Sequence, residues 1–308
     1  MRAGPFPASI RAMISRLWAA PSLLLSLATL FWSGNFVLGR ALHEHLAPVA
    51  LSFWRWVLAF LIVLGFAWPY LRRDWPALWQ NRWLVMLLAA LGVASFNALV
   101  YHGLNTTTVV NAVLMQSTMP VLILIGSWLL FRERVRALQV VGIVASLAGV
   151  AVIVARGSLD LLLHLALVPG DAWVALAVLS YATYSVLLRR RPQVHPLSFL
   201  AATFALGALM LLPVYLWEDA QVRTMPIDAA TLGAIVYVGI FPSLLSYLFF
   251  NRAVELIGAN RAGQYLHLMP VFGTALAALF IGERLLASHL VGAALIAVGI
   301  LMTQLGRR

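Results

Sequence analysis

Apolar residues along this chain come in runs of about twenty, each cut by a short polar stretch carrying Arg, Pro or Gly. A helix of about 20 mostly apolar residues spans the hydrocarbon core of a bilayer, where only closed helical hydrogen bonding is tolerated. The pattern predicts ten membrane helices: Pro21–Gly39, Pro48–Leu71, Trp83–Gly103, Thr107–Phe131, Ala137–Ala155, Asp171–Leu188, Pro196–Trp217, Ala229–Phe250, Arg261–Ile281 and Ala287–Leu305.

Shifted by 150 positions, the pattern matches itself. The stretch Met119–Val154 recurs without a gap as Met269–Gln304, so that Pro120 meets Pro270, Glu133 meets Glu283, Gly142 meets Gly292 and Gly149 meets Gly299. A duplicated bundle of hydrophobic helices is how many secondary transporters are built, with the substrate site between the two copies. The halves are residues 21–155 and 171–305, preceded by a basic segment, residues 1–20. In that segment Ile10, Met13, Ile14, Leu17 and Trp18 fall at helical spacing. A helix on the membrane surface and a disordered basic tail both suit it, and no persuasive cleavage site marks a signal peptide.

Composition sharpens the class. Of 308 residues 63% are hydrophobic and 10% charged, against roughly a quarter charged in soluble domains; the mean hydropathy is +0.94. All 21 basic residues are Arg, and the net charge is +11. They cluster between apolar runs, as a positive-inside signal does, so nucleic acid is not expected as a partner. Cysteine is absent, which excludes disulfides and thiolate chemistry. Sixteen Arg fall in the N-terminus, the C-terminus and alternate loops; four (Arg40, Arg156, Arg223, Arg284) fall in the others, and Arg55 lies within a span. That bias places both termini in the cytoplasm. Five spans per half is an odd number, so the second half enters from the opposite side and the repeat is inverted.

The run TTTVVNAVLMQSTMPVLILIGSWLLFRERV, its second copy GANRAGQYLHLMPVFGTALAALFIGERLLASHLVGAALIAVGI, and FWSGNFVLGR in the first span resemble the EamA type of the drug/metabolite transporter superfamily. The resemblance covers nearly the whole chain after residue 20, and within the family it is most similar to bacterial amino-acid exporters, including those for aromatic amino acids. It implies an all-α integral membrane protein of two inverted five-helix bundles in the bacterial inner membrane. The last helix of each half would be peripheral and the other eight would line a central cavity. Efflux of a small molecule is likewise what the resemblance implies.

Catalysis has little to work with. All ten acidic residues sit in loops or at helix ends, and the chain has no P-loop, no His-Glu-x-x-His pattern and no Cys ligand. No enzyme activity, cofactor, metal or obligate protein partner is expected beyond the substrate and membrane lipid. The candidate substrate residues lie on paired spans. The first presents Trp32, Asn35 and Phe36 on one face; the sixth presents Tyr181, Tyr184 and Ser185 in register at a shift of 149. An Asn amide facing hydrocarbon is costly, so Asn35 should point into the bundle. The third and eighth spans offer Asn97 and Tyr101 with Tyr247; the fourth and ninth offer Gln116 with Gln264, Tyr265 and His267. Aromatics with amides and hydroxyls between them suit an amphipathic small molecule, the reading favoured over helix packing alone.

Pro120 and Pro270 follow the last two polar clusters and mark kinks, hence candidate hinges, because a proline removes one helical hydrogen bond. Two readings stay open for Arg55, an intramembrane functional charge or a side chain snorkelling outward. Two also stay open for His267, a titrating group or a hydrogen-bonded core histidine. Glu133-Arg134 and Glu283-Arg284 read as helix-end and turn residues, and the paired glycines as close-packing faces.

Overall fold

The computed structural model describes residues 15–42, 47–104, 106–164, 167–280, 282 and 284–305. Most of the N-terminal basic segment and Glu283 therefore lie outside the described residues. Among those described, the secondary structure is helical and forms ten rods. In the first half α1 is Pro21–Ala41 and α2 is Pro48–Gln80. Rod α3 joins Arg82–Ala89, a π-helical turn Ala90–Ser95 and Phe96–Leu104. Rod α4 joins Val109–Ser117 to Met119–Phe131, and α5 is Ala137–Val154. After a one-turn helix, Leu159–Leu163, the second half repeats the plan. Here α6 is Pro169–Leu187 and α7 is Pro196–Gln221. Rod α8 joins Ala229–Val238, a π-helical turn Gly239–Leu245 and Ser246–Ile257. Rod α9 joins Ala259–Gln264, a 3-10 turn Tyr265–His267 and Leu268–Phe280, and α10 is Ala287–Leu305.

Local sequence explains the starts. Proline opens α1, α2, α6 and α7, where its missing N–H would have had no helical partner. Thr108 caps α4 through the Asn111 amide (3.1 Å) and Asp228 caps α8 through the Thr231 amide (2.8 Å). One boundary differs from the hydropathy reading. Helix α2 runs past Leu71 to Gln80, with Pro69 and Pro76 inside it. Its polar end is held by α7: the His195 amide donates to Asp74 (2.8 Å) and the Tyr70 ring stacks on His195 at 3.7 Å.

Nine helices are long and apolar enough to cross a membrane, among the described residues. The first turns of the ninth rod hold Asn260, Arg261, Gln264, Tyr265 and His267. Those polar groups face the interior: Gln264, Tyr265 and His267 are buried. Leu209, Leu216, Leu279, Phe280 and Leu290 are exposed on the outer surface, as are Trp68 within α2 and Trp75, Trp79, Trp83, Trp173 and Trp217 near the rod ends. Apolar outside and polar inside is what lipid as solvent demands, and tryptophan at both interfaces is usual.

The two halves interlock. Rod α1 packs against α8 and α9, and its counterpart α6 packs against α3 and α4. Rods α2 and α7 pair with each other, as do α5 and α10. In the last pair, an added Cβ at Gly142 would lie 2.5 Å from the Gly299 carbonyl oxygen, and one at Gly149 would lie 2.6 Å from that of Gly292. Only glycine permits that approach. The α2–α7 pair carries a carboxylate at each end: Asp74 takes the His195 amide, while Glu218 takes the Val49 (3.1 Å) and Ala50 (2.7 Å) amides that open α2. Unsatisfied amides at a helix start favour an anion there. Glu133 plays a different part from the helix-end role expected of it. Arg132, with φ +55°, turns the chain at the end of α4, and Glu133 then reaches across to Arg189 and Asn260, tying the end of α4 to the turn that follows α6 and to α9.

Candidate substrate site

The middle of the bundle is built around the two π-helical turns. A π turn takes one extra residue into the helix and loosens its carbonyls, so those carbonyls need partners in a lipid environment. Three of them find partners in the other half. Trp32 Nε1 on α1 donates to the Pro242 carbonyl in the α8 turn (2.8 Å), and the Tyr247 hydroxyl on α8 donates to the Gly92 carbonyl in the α3 turn. Gly92 and Pro242 are equivalent at the 150-residue shift. Ser180 Oγ on α6 takes the neighbouring Leu91 carbonyl (3.0 Å), and Ser246 Oγ takes that of Ala28 (3.1 Å). Gly92 has no room for a side chain, since its Cβ would sit 2.5 Å from the Tyr184 ring.

These bonds draw the aromatic residues of both halves into one cluster. The Trp32 ring meets Tyr181 at 5.9 Å, Tyr247 at 6.1 Å and Phe250 at 5.5 Å. Tyr181 meets Tyr184 at 5.3 Å and Phe96 at 5.1 Å, and Trp56 meets Tyr247 at 5.1 Å. Edge-on and tilted geometries at these separations are favourable and hold rings in fixed orientations. The Tyr184 hydroxyl donates to Asn251 Oδ1 at 2.9 Å, within a buried pair. Phe96, Trp56, Phe250 and Asn251 were not among the residues singled out from sequence. Asn251 meets Tyr101 at the 150 shift, and Phe250 lies one turn after Tyr247; those relations are the sequence signals by which these two can be found, whereas Phe96 and Trp56 carry none.

The other candidates are distributed around this cluster. Asn35 accepts a long hydrogen bond from Arg55 (3.4 Å), whose Nε donates to Ser243 Oγ (2.7 Å). Arg55 is buried and lies over the neighbouring Trp56 ring at 5.2 Å, so it does not snorkel to the surface. Asn97 is buried on α3 just beyond the π turn, while Phe36 and Gln116 are half-buried. The Tyr101 side chain lies outside those described. Gln264 is 1% exposed and its Oε1 has no hydrogen-bond partner. The Tyr265 hydroxyl binds Ser22 Oγ at 2.7 Å, roughly 15 Å along α1 from Trp32, so Tyr265 stands apart from the ring cluster. His267 Nε2 faces the Ser117 carbonyl at 2.9 Å, and its Nδ1 has no partner. A neutral imidazole with its proton on Nε2 satisfies this contact.

Pro120 and Pro270 mark breaks rather than simple kinks. Pro120 follows the turn at Thr118 that separates the two parts of α4, and Pro270 follows the 3-10 turn of α9. The two breaks are stitched to other helices: Ser117 takes the His267 ring, and the Met269 carbonyl accepts Ser33 Oγ of α1 at 3.0 Å.

Comparison with known proteins fits this architecture. The chain matches the EamA-like transporter family twice, over residues 20–155 and 168–305. It is 28% identical over 277 residues to YyaM of Bacillus subtilis, described as an uncharacterized transporter, covering 89% of this chain and 90% of that one. An uncharacterized transporter of Archaeoglobus fulgidus is 27% identical over 264 residues, covering 85% and 89%. A solved crystal structure of another protein shares the fold with a TM-score of 0.76 at 19% identity, over 92% of this chain and 96% of that one. Two matched copies covering most of the chain, on an interlocked bundle of apolar helices, make this a multi-pass membrane transporter that belongs to the EamA-like transporter family.

Proposed function

We propose that the protein exports small amphipathic metabolites, with neutral and aromatic amino acids as the substrate class, by alternating access across the bacterial inner membrane. The observation that carries this reading is the cluster of Trp32, Tyr181, Tyr184 and Tyr247 between the two halves. Its rings offer an apolar tail flat surfaces, and the Tyr181 hydroxyl with Asn251, Asn97 and Gln264 offers a head group hydrogen bonds. The Arg bias supports cytoplasmic termini. The broken rods α4 and α9, each with a proline after the break, supply places where the halves can bend.

Transport down the substrate's own gradient is the simplest energetics. Mid-membrane positions hold no carboxylate, and the His267 contact suits a neutral ring. Export of an accumulated metabolite needs no coupled ion when the two orientations are close in energy.

Purified protein in liposomes, preloaded and tested for counterflow of labelled amino acids, nucleosides and cationic drugs, tests the reading. Counterflow of neutral or aromatic amino acids is the expected result; counterflow of nucleosides or drugs alone overturns the substrate class. A pH gradient without a substrate gradient should not concentrate substrate. If it does, and His267→Asn abolishes the accumulation while downhill flux survives, His267 is a coupling site and the uncoupled reading is wrong.

A further inference from the structure

A narrow recess between the end of α6, the start of α7 and α8 is lined by Arg191, Pro196, Leu200, Leu248, Asn251, Arg252 and Glu255, and forms a closed cleft beside the aromatic cluster. At its mouth one carboxylate oxygen holds two cations: Glu255 Oε2 lies 3.0 Å from Arg191 Nη2 and 3.2 Å from Arg252 Nη1. Both guanidiniums are also fixed from elsewhere. Arg191 lies over the Phe199 ring at 5.6 Å; Arg252 lies over Trp18 at 5.6 Å, and its Nε donates to the Trp18 carbonyl at 3.3 Å. Glu255 has no such second anchor, and its side chain is 45% exposed. At the inner end, Asn251 is 3% exposed; its Oδ1 is taken by Tyr184, and its Nδ2 has no hydrogen-bond partner. A buried amide N–H pair without an acceptor is costly unless something fills the place in another state.

The trio is not a repeated feature of the fold. At the 150-residue shift Arg252 falls on His102 and Glu255 on Asn105, so the symmetry that builds the bundle does not account for it.

From this geometry we infer that the cleft is the cytoplasmic entrance, and that Arg191 and Arg252 receive the carboxylate of an entering substrate in exchange for Glu255. Preset guanidiniums accept a carboxylate with two-pronged geometry, and exchange of one carboxylate for another keeps the charges paired throughout. The incoming molecule then meets Asn251 Nδ2 as an acceptor-seeking group on the way to Tyr184 and the ring cluster. The inference rests on the reading above of an exporter for amino acids. It adds that a carboxylate, and not the ammonium group alone, opens the way in.

The chain has no cysteine, so Leu200→Cys places a single thiol on the cleft wall at a buried position. Its modification by a charged maleimide is followed for purified protein in nanodiscs. The probes are L-phenylalanine, 3-phenylpropionate and L-phenylalaninamide at matched ionic strength. Modification should be slow without probe and should speed up with either carboxylate but not with the amide. Adding Glu255→Gln should speed it about three- to tenfold without any probe, the factor expected on losing two half-exposed ion pairs. Glu255→Asp should keep the response to carboxylates. Equal acceleration by the amide, no acceleration by either carboxylate, or an unchanged rate in the Glu255→Gln protein overturns the proposal. A response to 3-phenylpropionate in a protein that shows no amino-acid counterflow would retain the carboxylate entrance and discard the substrate class. Counterflow with no response at Leu200→Cys does the reverse.

Discussion

Tyr247 and Gln264 are both buried polar residues between the halves, yet their hydrogen bonds make opposite forecasts. The Tyr247 hydroxyl serves the backbone, capping the Gly92 carbonyl of a π turn. Removing it leaves that carbonyl bare, so Tyr247→Phe should lower stability by about 1–3 kcal/mol, read as a fall in the thermal midpoint in detergent. Gln264 Oε1 has no hydrogen-bond partner. Gln264→Ala should therefore change stability much less, while weakening counterflow by up to roughly a hundredfold if the amide binds substrate. Asn97→Ala belongs to the same class. A Gln264→Ala protein that transports normally would remove that residue from the site. At this scale the sequence is legible where residues recur. Trp32, Tyr181, Tyr184 and Tyr247 stand out because they align between copies at helical spacing. Trp56 does not, because its neighbour Arg55 draws attention first and nothing in the pattern of α2 tells which face turns inward.

At the scale of elements, hydropathy locates the rods well, since burial in lipid writes a long apolar run into each. It does not locate the π turns, because a single inserted residue changes neither composition nor period appreciably; the turns exist by virtue of partners on other helices. The prolines are visible, but the turn before each is not. Pro270→Ala should restore a helical N–H and favour a continuous α9. The expected outcome is equal or higher thermal stability with slower turnover and little change in substrate affinity, measured by counterflow and equilibrium binding. Unaltered turnover would take Pro270 out of the hinge. For α5 and α10, Gly149→Leu should force the pair apart. Overpacking of this kind costs about 1–3 kcal/mol, and the loss should appear as lower thermal stability with the substrate residues themselves untouched.

For the whole molecule, the arrangement of charge makes the orientation testable. A cysteine placed at Gln193 should react with an impermeant reagent only from the cytoplasmic side of sealed cells, and one at Ala220 only from outside. Reaction of Gln193→Cys from outside would invert the assignment. The same scale holds a consequence of the paired π turns. Pro242 relies on Trp32 for its hydrogen bond and Gly92 relies on Tyr247, so each half keeps the donor that completes its counterpart's backbone. Neither fragment is self-sufficient in hydrocarbon. Split in the loop between residues 155 and 168, the chain should yield two pieces that are each degraded when made singly and that rescue one another when made together. The bundle is thus a handshake of two incomplete partners, and the covalent join between them is a convenience of synthesis more than a requirement of the architecture.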